Sequence, residues 1–322
     1  MRALKSWLTA FSLACVCTLA LGQSWPAKPI RLVVPFPAGG GTDIIARDVS
    51  NKLSSAAKWN FIVDNKPGSG GNLGVDAAAK SPADGYTLVI GQTSNLAINP
   101  SLYSKLPYDS IQDLTPIGLI GRAPLVMVVP ANSPYKTLTD LVNAAKTPSA
   151  ELNYATSGNG TVAHLAVEMF QREAGIKLTH IPYKGASQGI TDVIGGLVHV
   201  YVSSVPTLIG YIKSGKLRAL AVTSLKRTDD LPQVPTVAES GYKNFEAVTW
   251  FGLLGPARLP STVVQTANQT LNKALSSPDL KTKLEDQGLD VAPGTPEQFA
   301  QLIRTDMAKW GQVVKASGAK AD

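Results

Sequence analysis

Strand-like and helix-like segments alternate along almost all of this 322-residue chain, and that alternation limits the folds open to it. Runs rich in Val, Ile and Leu predict strands at 30–34, 60–64, 86–91, 117–129, 151–156, 178–182, 198–203, 217–223 and 246–254. Apolar residues at helical spacing predict helices at 42–56, 71–80, 137–146, 161–174, 187–195, 206–213, 261–276, 279–287 and 296–317. Prolines and glycines such as Pro67-Gly68, Pro82, Pro107 and Pro260 separate them. Parallel strands need a crossover and antiparallel ones do not, so this order predicts an α/β fold with mostly parallel sheets. Two apolar runs are longer than the rest, IGLIGRAPLVMVVP (117–130) and VTWFGLLGP (248–256). They read as strands crossing between two lobes. Lobe 1 is then 23–121 plus 255–322, lobe 2 is 125–247, and a cleft lies between them. A hydrophobic content of 44% against 16% charged residues suits such a globular chain.

The first 22 residues read as a secretory signal peptide. Arg2 and Lys5 precede an uncharged apolar run at 6–21, and Ala20-Leu21-Gly22 offers a small-residue cleavage site before Gln23. The run is too short and too rich in Ser and Thr for a good membrane span. This places the mature protein in the periplasm. Both cysteines, Cys15 and Cys17, fall inside the segment, so the mature chain has no disulfide, thiolate nucleophile or Cys metal ligand. Without Arg2 and Lys5 it carries 28 basic and 23 acidic residues, a net of +5. No basic run is interleaved with aromatics, so the excess is a general bias toward anions and not a nucleic-acid footprint.

The motifs narrow the chemistry. Gly39-Gly40-Gly41-Thr42-Asp43 follows one strand and opens one helix, and GNGT at 158–161 repeats the arrangement in the other lobe. No Lys-Ser/Thr follows Gly41, so this is not a P-loop. Gly158, Gly160 and Ala163 fit dinucleotide spacing, but the next strand, LTHIPY, ends without an acidic residue for the ribose. GASQG at 185–189 matches a nucleophile elbow, which keeps a secreted serine hydrolase using Ser187 as the alternative function. Against it, the only later histidine is His199, and the only acid between them, Asp192, lies on the helix Ser187 would open. Ser187 reads more simply as a helix cap. The three histidines, His164, His180 and His199, are not spaced for a metal, and no metal or cofactor is expected. His164, on the first turn after the second Gly loop, reads equally well as a cleft residue or as a packing one. What remains is anion binding by backbone N–H groups at two helix starts, with glycines allowing close approach and no Arg or Lys in either loop.

Longer stretches carry a family resemblance: WPAKPIRLVVPFPAGGGTDIIAR (25–47), VDNKPGSGGNLGVDAAAKSPADGYTL (63–88), YATSGNGTVAHLAVEMF (154–170), IPYKGASQGITDVIGG (181–196) and LPQVPTVAESG (231–241). The chain resembles the extracytoplasmic solute receptors of tripartite tricarboxylate transporters, the Bug family, over nearly all of its mature length. The resemblance implies a type II periplasmic-binding-protein fold, and a monomer that captures a small carboxylate between its lobes. It also implies delivery to an ion-driven integral-membrane permease, with no catalysis. Carried over residue by residue, it implies that two loops hold a ligand carboxylate, partly through water. The first supplies Phe36, Ala38, Gly39, Gly40, Gly41, Thr42 and Asp43. The second supplies Ser157, Gly158, Asn159, Gly160, Thr161 and His164. Thr93, Ser94, Asn95, Lys184 and Gly185 lie near the cleft in the same picture. Gln92 departs from the pattern by being bulkier than the small residue usual there, and Ser110 by replacing a common Pro. Amino acids, aliphatic and aromatic diacids, citrate-like acids and nicotinate all stay open as ligands.

Overall fold

The computed structural model describes residues 25–147, 149 and 151–321. The proposed signal segment, with Arg2, Lys5, Cys15, Cys17 and the site after Gly22, lies outside the described residues. In chain order the first half contains β1 (Ile30–Val34), α1 (Gly41–Ala57), β2 (Phe61–Asn65), α2 (Asn72–Ala79) and β3 (Thr87–Gln92). A π-helical turn, Ser94–Ile98, then runs into the short α3 (Asn99–Leu102), and β4 (Leu114–Pro130) follows. The second half holds α4 (Leu138–Ala145), β5 (Asn153–Thr156), α5 (Val162–Ala174), β6 (Thr179–Pro182), α6 (Ala186–Ile194), β7 (Val200–Ser204), α7 (Val205–Lys213) and β8 (Leu217–Val222). The chain returns through β9 (Val248–Pro256), α8 (Ser261–Leu275), α9 (Pro278–Glu285), β10 (Asp290–Val291) and α10 (Pro296–Ser317).

The strands form one mixed sheet in the order β2-β1-β3-β9-β4-β7-β5-β6, with β8 and β10 also paired to β4. The expected parallel pairs are β1 with β2 and β3, and β5 with β6 and β7. The antiparallel pairs all involve β4 or β9, the long apolar runs. β4 belongs to both lobes: Leu114 to Pro124 pair with β9, and Leu125 to Pro130 pair with β7 and β8. β9 pairs only with β3 and the first half of β4. The chain changes lobe just before it, where the Ala247 N–H donates to the Thr223 carbonyl.

Three apolar clusters fill the space around the sheet. One joins β1 to α1, α8 and α9 through residues such as Leu32, Ile45, Leu53 and Leu271. A second joins β4 and β7 to α6 and α7 through Val126, Tyr201 and Leu208. The third lies on the other face and runs through both lobes, from Val33 and Val89 to Trp250, Phe170 and Trp310. α10 ties this cluster together. Thr295 and Gln298 form a capping box at its start, Pro296 sits in its first turn, and Gly318 closes it in the left-handed region. Phe299 stacks edge-on against Trp250 at 5.4 Å, and the Trp250 indole N–H donates to Asp306 at 2.7 Å.

Candidate functional site: a chamber of helix starts

The side-chain caps that finish α4 and α10 are largely missing where helices begin at the cleft. α1 starts after Gly40 and α6 after Gly185, neither of which has a side chain to cap with. α7 starts after Ser204, whose hydroxyl makes no cap bond. α5 is capped by Thr161, which accepts only the His164 N–H. Together with the turn that opens at Ser94, five helix starts converge on one small chamber of about 50 Å³. Its wall includes Gly40, Gly41 and Thr42 of α1, Ser94, Thr161 to Ala163 of α5, Gly185 and Ala186 of α6, and Ser204 and Thr207 of α7. Phe36, Pro37, Gln92, Leu125, Ser157, Ser203, Thr249 and Phe251 complete it. No charged side chain is among these residues. The field inside is set by first-turn N–H groups, each helix start acting as roughly half a positive charge.

The two lobes touch through this wall. The Gly41 N–H donates to Thr207 Oγ1 at 3.0 Å, and that oxygen pairs with Ser204 Oγ at 2.9 Å. The Val162 N–H donates to Ser94 Oγ at 3.2 Å, and Ser187 Oγ donates to the Ala38 carbonyl at 3.5 Å. Thus each repeated Gly-rich helix start is met by a hydroxyl of the opposite lobe. Outside the chamber, across a neck shared by Phe36, Pro37, Ser157 and Gly185, lies a wider vestibule of about 560 Å³. Gly158, Asn159, Lys184, Tyr103 and Tyr183 line it, beside the 67–71 loop.

Of the residues singled out in sequence, Phe36, Gly40, Gly41, Thr42, Ser94, Ser157, Thr161 and Gly185 line the inner chamber. Gly158, Asn159 and Lys184 line the vestibule. The others support these surfaces. Asp43 is buried and accepts from the Gly39 N–H at 3.0 Å, from Arg47 Nε at 2.9 Å and from Asn65 Nδ2 at 2.9 Å. Asn65 Nδ2 also donates to the Phe36 carbonyl, so Asp43 braces the whole 36–43 loop from behind. Burial pushes its pKa up, but the bonds from Arg47, Gly39 and Asn65 and the charge of Arg47 outweigh this and hold it below the usual carboxylate value. Thr93 Oγ1 accepts the Trp250 N–H, Asn95 Oδ1 accepts the Gln92 N–H, and Ala38 and Gly39 act through the backbone bonds already given. Gly160, at φ +70°, seats against Leu102 of the opposite lobe, where a Cβ would fall 1.9 Å from Leu102 Cδ2.

His164 has its ring turned into the second loop. Its Nδ1 accepts the Gly160 N–H at 3.1 Å, and its ring lies flat on His180 at 4.1 Å, which in turn stacks on Tyr154 at 4.7 Å. His180 Nε2 bonds Thr156 Oγ1 at 2.8 Å, and that hydroxyl also meets Gly158. Burial, with His164 alongside, lowers the His180 pKa to about 3. The stacked rings therefore hold the second loop in shape.

Ser187 is not the helix cap expected of it. Gly185, at φ +138°, occupies the cap position, and Ser187 lies in the first turn facing Ala38. Asp192 accepts from the Tyr183 hydroxyl, and His199 Nδ1 pairs with Asn153 Oδ1 at 2.8 Å. The triad residues a hydrolase needs each bond elsewhere. Ser203, Ser204, Thr207, Thr249, Phe251 and Leu125 escaped the sequence reading. For three of them a signal existed: VSSVPT is a strand followed by two hydroxyls and a Pro, a third strand-to-helix start. Thr249 and Phe251 showed only an i, i+2 spacing on a strand.

These features define a two-lobed α/β binding protein with a neutral, donor-rich cleft. The family model for the tripartite tricarboxylate transporter family receptor matches residues 45–319. BugT of Bordetella pertussis is 37% identical over 299 residues, covering 92% of each chain. Among solved structures, periplasmic binding protein BugD superposes with a TM-score of 0.87 at 31% identity, over 92% of this chain and 99% of that one. An R. palustris protein solved with adipate gives 0.89 at 34%, over 92% and 99%. The chain belongs to the tripartite tricarboxylate transporter receptor family, a family of extracytoplasmic solute-binding receptors. Among the described residues no helix is long and apolar enough to cross a membrane.

Proposed function

We propose that this protein works in the periplasm as a monomer, captures a small carboxylate between its lobes and hands it unchanged to the integral-membrane permease of a tripartite transporter. The observation that carries the reading is the convergence of five helix starts on a chamber free of charged side chains. Such a chamber favours an anion through oriented N–H groups and hydroxyls. One carboxylate lies between the α1 start at Gly40 to Thr42 and the α5 start at Thr161 to Ala163. Each helix start contributes up to ~2 kcal/mol to a partly buried anion. A micromolar ligand needs about 8 kcal/mol. The two starts supply about half of that, and the remainder comes from lobe closure, which excludes water and strengthens the bonds inside. The adipate held by the R. palustris relative supports a carboxylate as the ligand class.

The test is a thermal-shift screen of mono-, di- and tricarboxylic acids beside their amides and methyl esters. Ligand at a hundred times its Kd stabilises by about 2.7 kcal/mol, enough for a rise of several degrees. Acids are expected to raise the melting temperature and their neutral derivatives to leave it unchanged. A screen in which no acid acts, or in which esters act equally well, contradicts the proposal.

A further inference from the structure

One proton governs how His164 holds the second Gly-rich loop. Its Nδ1 accepts the buried Gly160 N–H at 3.1 Å, so Nδ1 is unprotonated and the neutral ring carries its single proton on Nε2. Nε2 lies 3.9 Å from Glu168 Oε1, one turn further along α5, an ion-pair separation once the ring is charged. That oxygen is fixed in place, because it accepts from the Tyr154 hydroxyl at 2.7 Å and from Gln171 Nε2 at 2.9 Å. Glu168 thus reaches both outer rings of the His164–His180–Tyr154 stack. The charged and titratable groups set around this pair are His180 of β6, Tyr154 of β5, and Arg172, Glu173 and Lys309, which line a groove between α5 and α10 with Glu168. His180, with its pKa lowered to about 3, adds no charge of its own at moderate pH. A second proton on the His164 ring can go only to Nδ1. It would leave two buried N–H donors, of His164 and of Gly160, facing each other with no acceptor between them. Gly160 is also the point where this loop meets lobe 1, seated against Leu102, so moving it disturbs the clamp and the lobe contact together.

We propose that His164 and Glu168 form a proton-sensitive positioning pair for the binding loop. The uncharged ring holds Gly160 in the gripping shape. A proton taken up by the ring, and favoured by the Glu168 carboxylate, releases the loop and lowers the affinity for the bound acid. Both residues act from behind, since neither lines the chamber or the vestibule. The inference rests on the carboxylate reading given above and adds acid-triggered release to it.

The test compares wild type, His164→Asn and Glu168→Gln between about pH 8 and about pH 5.5, a window that brackets the ordinary histidine value of about 6.5. Asn offers its Oδ1 in place of Nδ1 and takes up no proton, while Gln keeps an acceptor for Tyr154 and loses the charge. Calorimetry uses adipate, or whichever acid of the screen stabilises most. His164→Asn reports the titration of the acid itself. Relative to it, wild type is expected to lose about tenfold in affinity across the window, about what one hydrogen bond supplies. Glu168→Gln is expected to show the same loss at lower pH, because the carboxylate that favours the charged ring is gone. Nitrogen-15 NMR of unliganded wild type reads the pair without any acid or variant. Nδ1 is expected to be unprotonated at pH 8, and the Gly160 amide signal to move as the ring charges. A ring protonated on Nδ1 at pH 8, a ring that stays uncharged throughout, or a Gly160 amide that stays still while the ring charges overturns the inference. So do parallel affinity profiles in wild type and His164→Asn. Each of these leaves the carboxylate reading standing. If no acid of the screen binds, release falls with that reading, and the NMR result alone decides whether His164 positions the loop.

Discussion

Gly41→Ala separates the folding of this protein from its closure. Gly41 opens α1, and its φ lies in the range any residue adopts. Within the helix alanine is favoured over glycine by up to ~1 kcal/mol. Across the cleft, however, an added Cβ falls 2.8 Å from Thr207 Oγ1 and 2.9 Å from Ser204 Oγ. Contacts that short do not persist, so either the Thr207 and Ser204 hydroxyls turn aside or the lobes part by several tenths of an ångström. That lengthens the bond from the Gly41 N–H to Thr207, worth ~1 kcal/mol, and adds an overpacking cost of about 1–3 kcal/mol. The closed form therefore loses about 2–4 kcal/mol, which corresponds to a fall in affinity of roughly 30- to 700-fold. Gly210→Ala is the control. It lies within α7 with no atom within 4 Å of its added Cβ, and it should bind like wild type. Calorimetry with the best acid from the screen, beside melting curves, reads both effects. A folded Gly41→Ala protein that binds with wild-type affinity would refute the reasoning, because closure would then not bring Thr207 onto α1.

Two further outcomes are expected. Gly40→Asp has room, its nearest neighbours being the Pro37 carbonyl at 3.7 Å and Ala186 at 4.0 Å, and Asp is a good N-cap. The variant should stay folded, while a second negative charge about 4 Å from the carboxylate costs about 4 kcal/mol at an effective dielectric of ~20, a loss near a thousandfold by calorimetry. Gly158→Asp is a poorer probe, because Gly158 sits at φ +142° and any side chain there is strained. The second outcome concerns pH. His180 is neutral in the fold, with its pKa lowered to about 3. The unfolded chain takes up a proton below about 6.5. Stability from this group is present above pH 6.5 and is lost as the pH falls toward 3. Melting temperature should decline through that window in wild type and decline less in His180→Gln. Equal slopes would remove His180 as the cause.

What the sequence revealed and what it hid follow from the range of the interactions. The helix starts at Gly41 and Val162 were legible because strand, glycines and helical period lie side by side in the chain. Asp43 looked like a ligand contact for the same reason. Its role as a brace depends on Asn65 and on the direction of one side chain, neither of which a local pattern encodes. His164 stayed open between two readings until His180, 16 positions later, was seen stacked on it. Thr207 and Thr249 were missed because each reaches the chamber only through the packing of one lobe on the other. The short β10 was missed as well. It consists of Asp290 and Val291 alone, paired to β4 at Arg122 and Gly121, and leaves no periodicity to read.

The central claim is that a carboxylate is gripped by backbone N–H groups and hydroxyls of both lobes at the opposed starts of α1 and α5. A crystal structure of the protein grown with the most stabilising acid of the screen tests it most directly. The account predicts closed lobes, an intact acid, and one carboxylate within hydrogen-bonding reach, direct or through one water, of both the 40–42 and the 161–163 segments. An acid bound outside the chamber, or a carboxylate held by a Lys or Arg side chain with both helix starts unoccupied, would contradict it.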